Sequence, residues 1–176
     1  MEEPEIIIQS TMPIKLKQKS MIIWFVLGPI GAGKSTYIDR ILQTNKLVFL
    51  SPDLLKKEKG TTYPDTRIMM EKIIEEHVEK KISFIIEGTG QHDDLYGLLT
   101  TYCADNSIQL KVTYIDVDLE VAVQRNQSRE RVLSDDIVIE VHHRCCQRKH
   151  LWKDFNCEYL NYRDLMNSSV KSLDIY

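Results

Sequence analysis

The stretch MIIWFVLGPIGAGKSTYIDRIL, residues 21–42, decides the fold. An apolar run from Met21 to Leu27 leads into the pattern Gly-x-x-x-x-Gly-Lys-Ser at Gly28–Ser35, and apolar residues at helical spacing follow. This order of strand, glycine-rich turn and helix lets successive backbone N–H groups of the turn point inward at phosphate oxygens. The stretch therefore predicts a phosphate-binding loop between the first strand and the first helix of an α/β domain.

The residue types within this loop indicate separate roles. Lys34 is expected to reach the β and γ phosphates of a nucleoside triphosphate, and Ser35 is expected to ligate Mg²⁺. Two alternatives are an ordinary glycine-containing turn and a GTPase switch, although Asn45–Val48 lacks the aspartate of a guanine-reading Asn-Lys-x-Asp element. With ATP or GTP and Mg²⁺ as ligands, the predicted binding residues in the loop are Gly28, Gly31, Ala32, Gly33, Lys34, Ser35 and Thr36.

Short apolar runs alternate with segments of helical period along the rest of the chain. Read in order they give βαβαβαβ, and right-handed crossovers turn that order into a parallel sheet with ligands at the carboxyl ends of its strands. The predicted fold class is an α/β three-layer sandwich of the P-loop NTPase type, with a short arginine-bearing lid. The predicted strands are Met21–Leu27, Leu47–Leu50, Ile82–Ile86 and Leu110–Ile115.

The composition fits one folded unit. The chain has 176 residues, 43% of them hydrophobic, and a formal net charge of −3, so overall charge gives no indication of a nucleic-acid partner. Residues 1–20 are predicted as an N-terminal extension, either an edge hairpin or a tail, and residues 21–176 as the phosphate-loop domain. An acidic N-terminus, no apolar run of membrane-spanning length and four cysteines without a Cys-x-x-Cys pair predict a cytoplasmic protein with reduced thiols.

Two further strand ends carry groups suited to a phosphate acceptor. Asp53 follows the second strand, where a carboxylate can orient an attacking hydroxyl, and Lys56 lies one helical turn later. The sequence Ser-Pro-Asp at Ser51–Asp53 is also typical of a helix start, and both interpretations can hold. Glu87 and Thr89, in the Glu-Gly-Thr-Gly turn after the third strand, are predicted substrate contacts, with an ordinary turn as the alternative.

Arg125, Arg129 and Arg131 lie between two predicted helices. Arg125 and Arg129 are four residues apart and can share a face, so folding this corner over the loop would bring guanidinium groups to the transferring phosphoryl group. Arg131 is a further predicted nucleotide contact. The alternative is a solvated basic turn neutralised by Glu130 and its acidic neighbours.

The helix predicted after the lid carries a second local pattern. His142, Cys146 and His150 step by four residues along one face, which suits zinc binding. Ordinary packing gives the same spacing, so both interpretations stay open.

On these residues, the chain resembles the small P-loop kinases that include zeta toxins and polynucleotide 5′-hydroxyl kinases. Phe84–Gly90 (FIIEGTG) resembles a strand and turn of zeta toxins, and Leu160–Arg163 (LNYR) weakly resembles their last strand. The Arg-Asn-x-x-Arg lid from Arg125 to Arg129 is closer to the polynucleotide kinases. The resemblance implies that Asp53 activates the acceptor hydroxyl and that the lid arginines clamp the ATP phosphates.

Together these patterns predict a kinase that transfers the γ-phosphate of ATP or GTP, with Mg²⁺, to a hydroxyl acceptor. The expected acceptor is either a nucleic acid, as in the polynucleotide kinases, or a sugar nucleotide, as in the zeta toxins. A small metabolite or nucleotide is the alternative, and a nucleotide-binding regulatory module without turnover is the alternative of another class. The predicted catalytic residues are Lys34, Asp53, Arg125 and Arg129, the predicted substrate contacts are Lys56, Glu87 and Thr89, and Ser35 is the predicted metal ligand.

Overall fold

Five parallel strands form the central sheet of the computed structural model, which describes residues 20–60 and 62–167. The hairpin or tail expected at residues 1–20 lies outside these ranges apart from Ser20. The strands are β1 (Met21–Leu27), β2 (Val48–Leu50), β3 (Phe84–Gly88), β4 (Ile108–Asp116) and β5 (Glu158–Asn161).

Helices connect these strands and pack on both faces of the sheet. No helix within the two described ranges is both long enough and apolar enough to cross a membrane. The helices are α1 (Lys34–Thr44), α2 (Pro52–Lys59), α3 (Tyr63–Glu79), α4 (Asp93–Cys103), α5 (Leu119–Gln127), α6 (Asp135–Arg148) and α7 (Asp164–Asn167), and a 3₁₀ helix spans Lys149–Phe155.

Strand β1 lies at the centre of the sheet. The strand order is β2-β3-β1-β4-β5, and every pairing is parallel. All seven residues of β1 are buried, as expected for a strand that is covered on both faces. Leu27 is in register with Gly88 of β3 and with Tyr114 of β4, so the carboxyl ends of the three strands meet. The predicted three-layer α/β sandwich with a parallel sheet is confirmed.

Separate apolar clusters cover the two faces of the sheet. Phe25 of β1 belongs to a cluster with Met70 of α3 and with Trp152 of the 3₁₀ helix. Its neighbour Trp24 belongs to the other cluster, with Ile38 of α1. Successive side chains of a strand point to opposite faces, and this alternation assigns each residue of β1 to one of the two clusters.

The observed bounds of β3 differ from the prediction of Ile82–Ile86. The strand runs from Phe84 to Gly88, and Ile82 is 37% exposed. Apolarity could not locate the end of the strand, because the pairing with β1 continues through the polar residue Glu87, which is in register with Val26. Glu87 therefore lies on the strand itself, where the sheet fixes its backbone.

Candidate active site

The loop Gly28–Ser35 joins β1 to α1 in a conformation that requires glycine. Gly28 has φ 147°, and a Cβ at this position would lie 2.3 Å from the carbonyl O of Ile115 on β4. Gly33 has φ 96° and is the N-terminal cap residue of α1. Only glycine adopts such angles at little cost and lets the backbone pass so close to a neighbouring strand. The glycines of the motif thus allow the backbone of the loop to pass close to the ends of β1 and β4.

The Lys34 ammonium is enclosed by the loop. Lys34 Nζ donates hydrogen bonds to the carbonyl O of Gly28 (2.8 Å) and to that of Pro29 (2.9 Å). Burial lowers the pKa of Lys34, and the nearby carboxylates of Glu87 and Asp53 act in the opposite direction. The loop lysine therefore lies close to both acidic residues that the sequence singled out.

The start of α2 joins Asp53 to the end of β3. Ser51 is the N-terminal cap of α2, since its Oγ accepts a hydrogen bond from Leu54 N (3.3 Å), and Pro52 opens the helix. Ser51 Oγ also donates to Glu87 Oε1 (2.9 Å). The helix start predicted at Ser51–Asp53 is confirmed, and it presents the exposed Asp53 in the first turn. One serine thus fixes the position of the helix and the orientation of the Glu87 carboxylate.

Helix α5 packs directly against the phosphate loop. A Cβ at Gly31 would lie 2.9 Å from the carbonyl O of Ala122, so a larger residue would separate the two elements. Arg125 Nη1 donates to the carbonyl O of Gly31 (2.9 Å), and the guanidinium lies 5.0 Å from the centre of the Tyr162 ring. Arg125 therefore supports the loop while it stacks on an aromatic ring.

The segment after α5 is held by Asn126, a residue of the lid motif for which the sequence predicted no role. Asn126 is fully buried, and its side chain donates to Leu133 O (2.8 Å) and accepts from Leu133 N (3.2 Å). These two bonds close the turn that carries Arg129 and Arg131. Arg129 reaches the cleft beside Lys34 and adds to the lowering of its pKa, whereas Arg131 is exposed and is not among the residues that line the cleft.

A cleft of about 970 Å³ lies between the phosphate loop, α2, the end of β3 and α5. This volume is in the range of small-molecule and cofactor sites. Lys56 does not line it, and Gly28 and Ala32 are buried within the loop and do not line it either. The predicted site residues that do line it are Gly31, Gly33, Lys34, Ser35, Thr36, Asp53, Glu87, Thr89, Arg125 and Arg129.

A second cavity, of about 430 Å³, adjoins the cleft between α3 and α4. The two spaces share a wall that includes Pro52, Glu87, Gly88 and Thr89. No pattern in the sequence predicts this cavity, because its lining comes from helices whose relative placement depends on long-range packing. A molecule in the second cavity would meet the cleft beside Glu87.

Helix α6 supports the turn after β3. Cys145 is buried, and its Sγ donates a hydrogen bond to the carbonyl O of Thr89 (3.0 Å). Burial raises the pKa of this thiol to about 12, so it stays protonated at neutral pH. Gly90 packs on the indole of Trp152, where a Cβ would lie 2.9 Å from the ring. The turn that carries Thr89 therefore packs against α6 and the 3₁₀ helix.

The three residues of the pattern His142, Cys146 and His150 lie in different environments. His142 is buried with Nε2 2.8 Å from the carbonyl O of Val117, and His150 Nδ1 lies 2.9 Å from Gln147 O. Within residues 20–60 and 62–167, no three His, Cys, Asp or Glu side chains are grouped to hold a metal ion. His142 is therefore a packed position, whereas Cys146 and His150 are exposed on the surface.

Comparison with known proteins agrees with the fold and the loop. A protein-family model described as "AAA domain" matches residues 23–148. The adenylate kinase of Thermococcus kodakarensis is 28% identical over 124 residues, which cover 61% of this chain and 53% of that protein. The chain thus spans about half the length of this curated relative.

Solved kinase structures share the fold. A sugar kinase from a Janibacter species superposes with a TM-score of 0.61 at 17% identity, covering 88% of this chain and 95% of that one. A chain of the Pnkp1/Rnl/Hen1 RNA repair complex superposes with a TM-score of 0.62 at 18% identity, covering 77% of this chain and 47% of that one. The shikimate kinase of Bacteroides thetaiotaomicron superposes with a TM-score of 0.56 at 15% identity, covering 79% of this chain and 85% of that one. At these identities the likeness concerns the fold alone.

Proposed function

The chain belongs to the AAA domain family and has the fold of the P-loop kinases, and from that premise we propose that it transfers the γ-phosphate of an NTP to a hydroxyl acceptor. One observation carries the proposal. The cleft brings Lys34 of the phosphate loop together with the Asp53 and Glu87 carboxylates, which are close enough to shift the pKa of its ammonium. Groups suited to a phosphate donor and groups suited to an acceptor thus lie in one site.

On the donor side, the loop amides and Lys34 would hold the β and γ phosphate oxygens. To do so the Lys34 ammonium would exchange its bonds with the Gly28 and Pro29 carbonyls for bonds with phosphate. Such charge-assisted bonds are stronger than bonds to neutral carbonyls. A bound triphosphate is therefore expected to extend the lysine from the loop into the cleft.

The residues present fit a Mg²⁺ ion bound together with the triphosphate. The Ser35 hydroxyl is exposed and lines the cleft, and Mg²⁺ in such sites takes few protein ligands besides phosphate oxygens and water. The ion would supply charge neutralisation between the β and γ phosphates. Ser35 is proposed as its protein ligand.

On the acceptor side, Asp53 is proposed to accept the proton of the attacking hydroxyl. The acceptor oxygen would form a bond to the γ-phosphorus while the bond from phosphorus to the β-γ bridging oxygen breaks, and the nucleoside diphosphate leaves. Glu87, held by Ser51, would orient the acceptor beside this point. Arg129 would stabilise the charge on the transferring phosphoryl group.

The experiment that tests the proposal is incubation of the protein with γ-labelled ATP or GTP, Mg²⁺ and three acceptor classes. These are a 5′-hydroxyl oligonucleotide, a sugar nucleotide and a set of small alcohols, which correspond to polynucleotide kinases, zeta toxins and metabolite kinases. Label in an acceptor supports the kinase. Tight nucleotide binding with neither transfer nor hydrolysis would instead favour a regulatory module and overturn the proposal.

Arg129 and Arg131 offer a matched pair for the lid. Arg129→Ala is expected to lower kcat by about 10²-fold with little change in NTP affinity, because Arg129 reaches the cleft and its charge would act in the transition state. Arg131→Ala removes the same charge from an exposed position outside the cleft lining, so kcat should change by less than about threefold. Steady-state kinetics and nucleotide titration measure both. Equal losses of kcat and NTP affinity in Arg129→Ala would assign it a ground-state binding role.

A further inference from the structure

The second cavity is acidic. Among the described residues that line it, Glu71, Glu75, Glu87 and Asp94 bring four carboxylates, and Arg67 is the one Lys or Arg side chain. The lining of the neighbouring cleft, by contrast, includes Lys34, Arg40, Arg125 and Arg129. The acidic cavity and the basic cleft meet at Glu87. An acceptor would therefore experience the opposite electrostatic field from the NTP phosphates.

The single guanidinium of the cavity already has anionic partners. Arg67 Nη1 lies 2.8 Å from Asp94 Oδ2 on α4, and Arg67 Nε lies 3.1 Å from Glu71 Oε1 on α3. A phosphate or carboxylate on the acceptor would have to compete with both carboxylates for this group. Arg67 is therefore not placed as in a site where an arginine binds an anionic ligand through two parallel hydrogen bonds.

The remaining surface of the cavity combines apolar contacts with one acidic edge. Burial raises the pKa of Tyr102, and the charge of Glu75 raises it further, so the Glu75 carboxylate lies near the phenol. Both residues line the cavity. The apolar part of the lining comes from Met70, Ile74, Ile86, Leu95 and Leu98.

We propose that this cavity is the acceptor pocket and that it selects a small polyhydroxy compound which is neutral or cationic and carries neither phosphate nor carboxylate. The inference rests on the proposed function and deepens it. The cavity volume of about 430 Å³ suits one small molecule with an apolar face. The wall of the cavity at Glu87–Thr89 opens on the cleft, where Asp53 would receive the hydroxyl proton. Arg67 offsets part of the charge of the four carboxylates, and the net negative charge that remains repels anionic acceptors, which is specificity through a repulsive element. This choice favours the small-metabolite alternative over a polynucleotide or a sugar nucleotide.

The test compares acceptors in matched pairs that differ only in charge. Each pair consists of a polyol, nucleoside or amino sugar and its phosphorylated or carboxylated counterpart, and a 5′-hydroxyl oligonucleotide is included. The uncharged or cationic member should be phosphorylated with a kcat/KM at least about tenfold above that of its anionic counterpart. If the anionic members or the oligonucleotide were phosphorylated equally well or better, the inference would be overturned while the kinase function would remain intact.

Charge reversal at Glu75 provides a second measurement. Glu75→Lys places a cation at the acidic edge of the cavity and should shift the ratio of anionic to neutral acceptor use by about tenfold towards the anion. Glu79→Lys is the matched control, because Glu79 is exposed one turn further along α3 and is outside the cavity lining, so its ratio should stay that of the unmodified protein. Equal shifts in the two variants would indicate a general charge effect and would overturn the assignment of the pocket.

A binding readout separates failure of the inference from failure of the kinase proposal. If no compound accepts phosphate, the proposed function fails, and the charge preference is then read from melting temperatures with each pair and a non-hydrolysable NTP. Stabilisation by the neutral or cationic members alone supports the pocket. Stabilisation by the anionic members, or by neither member of any pair, counts against it.

Discussion

Replacing Lys34 with alanine is expected to lower kcat/KM for phosphoryl transfer by about 10³-fold. The ammonium lies inside the phosphate loop with Glu87 and Asp53 nearby, so a triphosphate in the cleft would meet this charge at its β and γ oxygens. Initial rates of transfer from labelled NTP measure the effect. Lys46→Ala is the control, because Lys46 is exposed just beyond α1 and is not part of the cleft lining.

The loss in the Lys34 variant should not be caused by unfolding. Burial lowers the pKa of Lys34 in the folded chain below its usual value of 10.5, so the unfolded chain holds this proton more tightly and the charged ammonium opposes folding at neutral pH. Lys34→Met, which keeps the apolar stem, should therefore melt at the same or a higher temperature at pH 7. The difference should shrink as the pH rises towards 10.5, where the unmodified chain loses the proton in both states. A variant that keeps more than a tenth of the transfer rate would contradict the role given to Lys34.

The parts of the site that local patterns encode were predicted from the sequence. The glycine loop, the helix start at Ser51–Asp53 and the parallel sheet all depend on residues within a few positions of one another or on apolar runs. Their physical causes are the dihedral freedom of glycine, side-chain capping and the burial of both faces of a strand. The roles of the residues in catalysis stay predictions.

The contacts between distant segments were not predicted. Tyr162 stacks on Arg125 across 37 positions, and Cys145 reaches Thr89 across 56. The second cavity likewise depends on how α3 lies against α4, where Arg67 meets Asp94. Periodicity reports which face of an element is apolar but not which element covers it, so the second cavity could be found only in the structure.

The placement of Arg131 and Lys56 illustrates the same limit. Both are close in sequence to residues that line the cleft, yet neither lines it. Arg131 lies in an irregular turn two residues after Arg129, and Lys56 lies one helical turn after Asp53, so the local spacing does not determine which of these side chains lines the cleft. Arg129 and Asp53 point into the cleft, and for this reason they are the positions at which substitution should affect transfer.

Asp53→Asn is expected to lower kcat for transfer by about 10³-fold while NTP affinity changes by less than about threefold. Asparagine keeps the size of the side chain but cannot accept the hydroxyl proton as a carboxylate does. Asp53 is exposed in the first turn of α2, where loss of an acidic side chain costs about 0.5 kcal/mol in folding free energy. Rapid-quench measurement of a single turnover, with nucleotide titration beside it, separates the chemical step from binding.

Asp65→Asn is the matched control for Asp53→Asn. Asp65 is also exposed in the first turn of a helix, α3, where it accepts a hydrogen bond from Thr62 Oγ1 (2.5 Å), and it lines neither cavity. The control should show the same small loss of stability with an unchanged kcat, because only Asp53 adjoins the phosphate loop. If both variants kept full transfer, the proton acceptor would have to be sought at Glu87, the other carboxylate that acts on Lys34, and Glu87→Gln would then be the substitution that abolishes transfer.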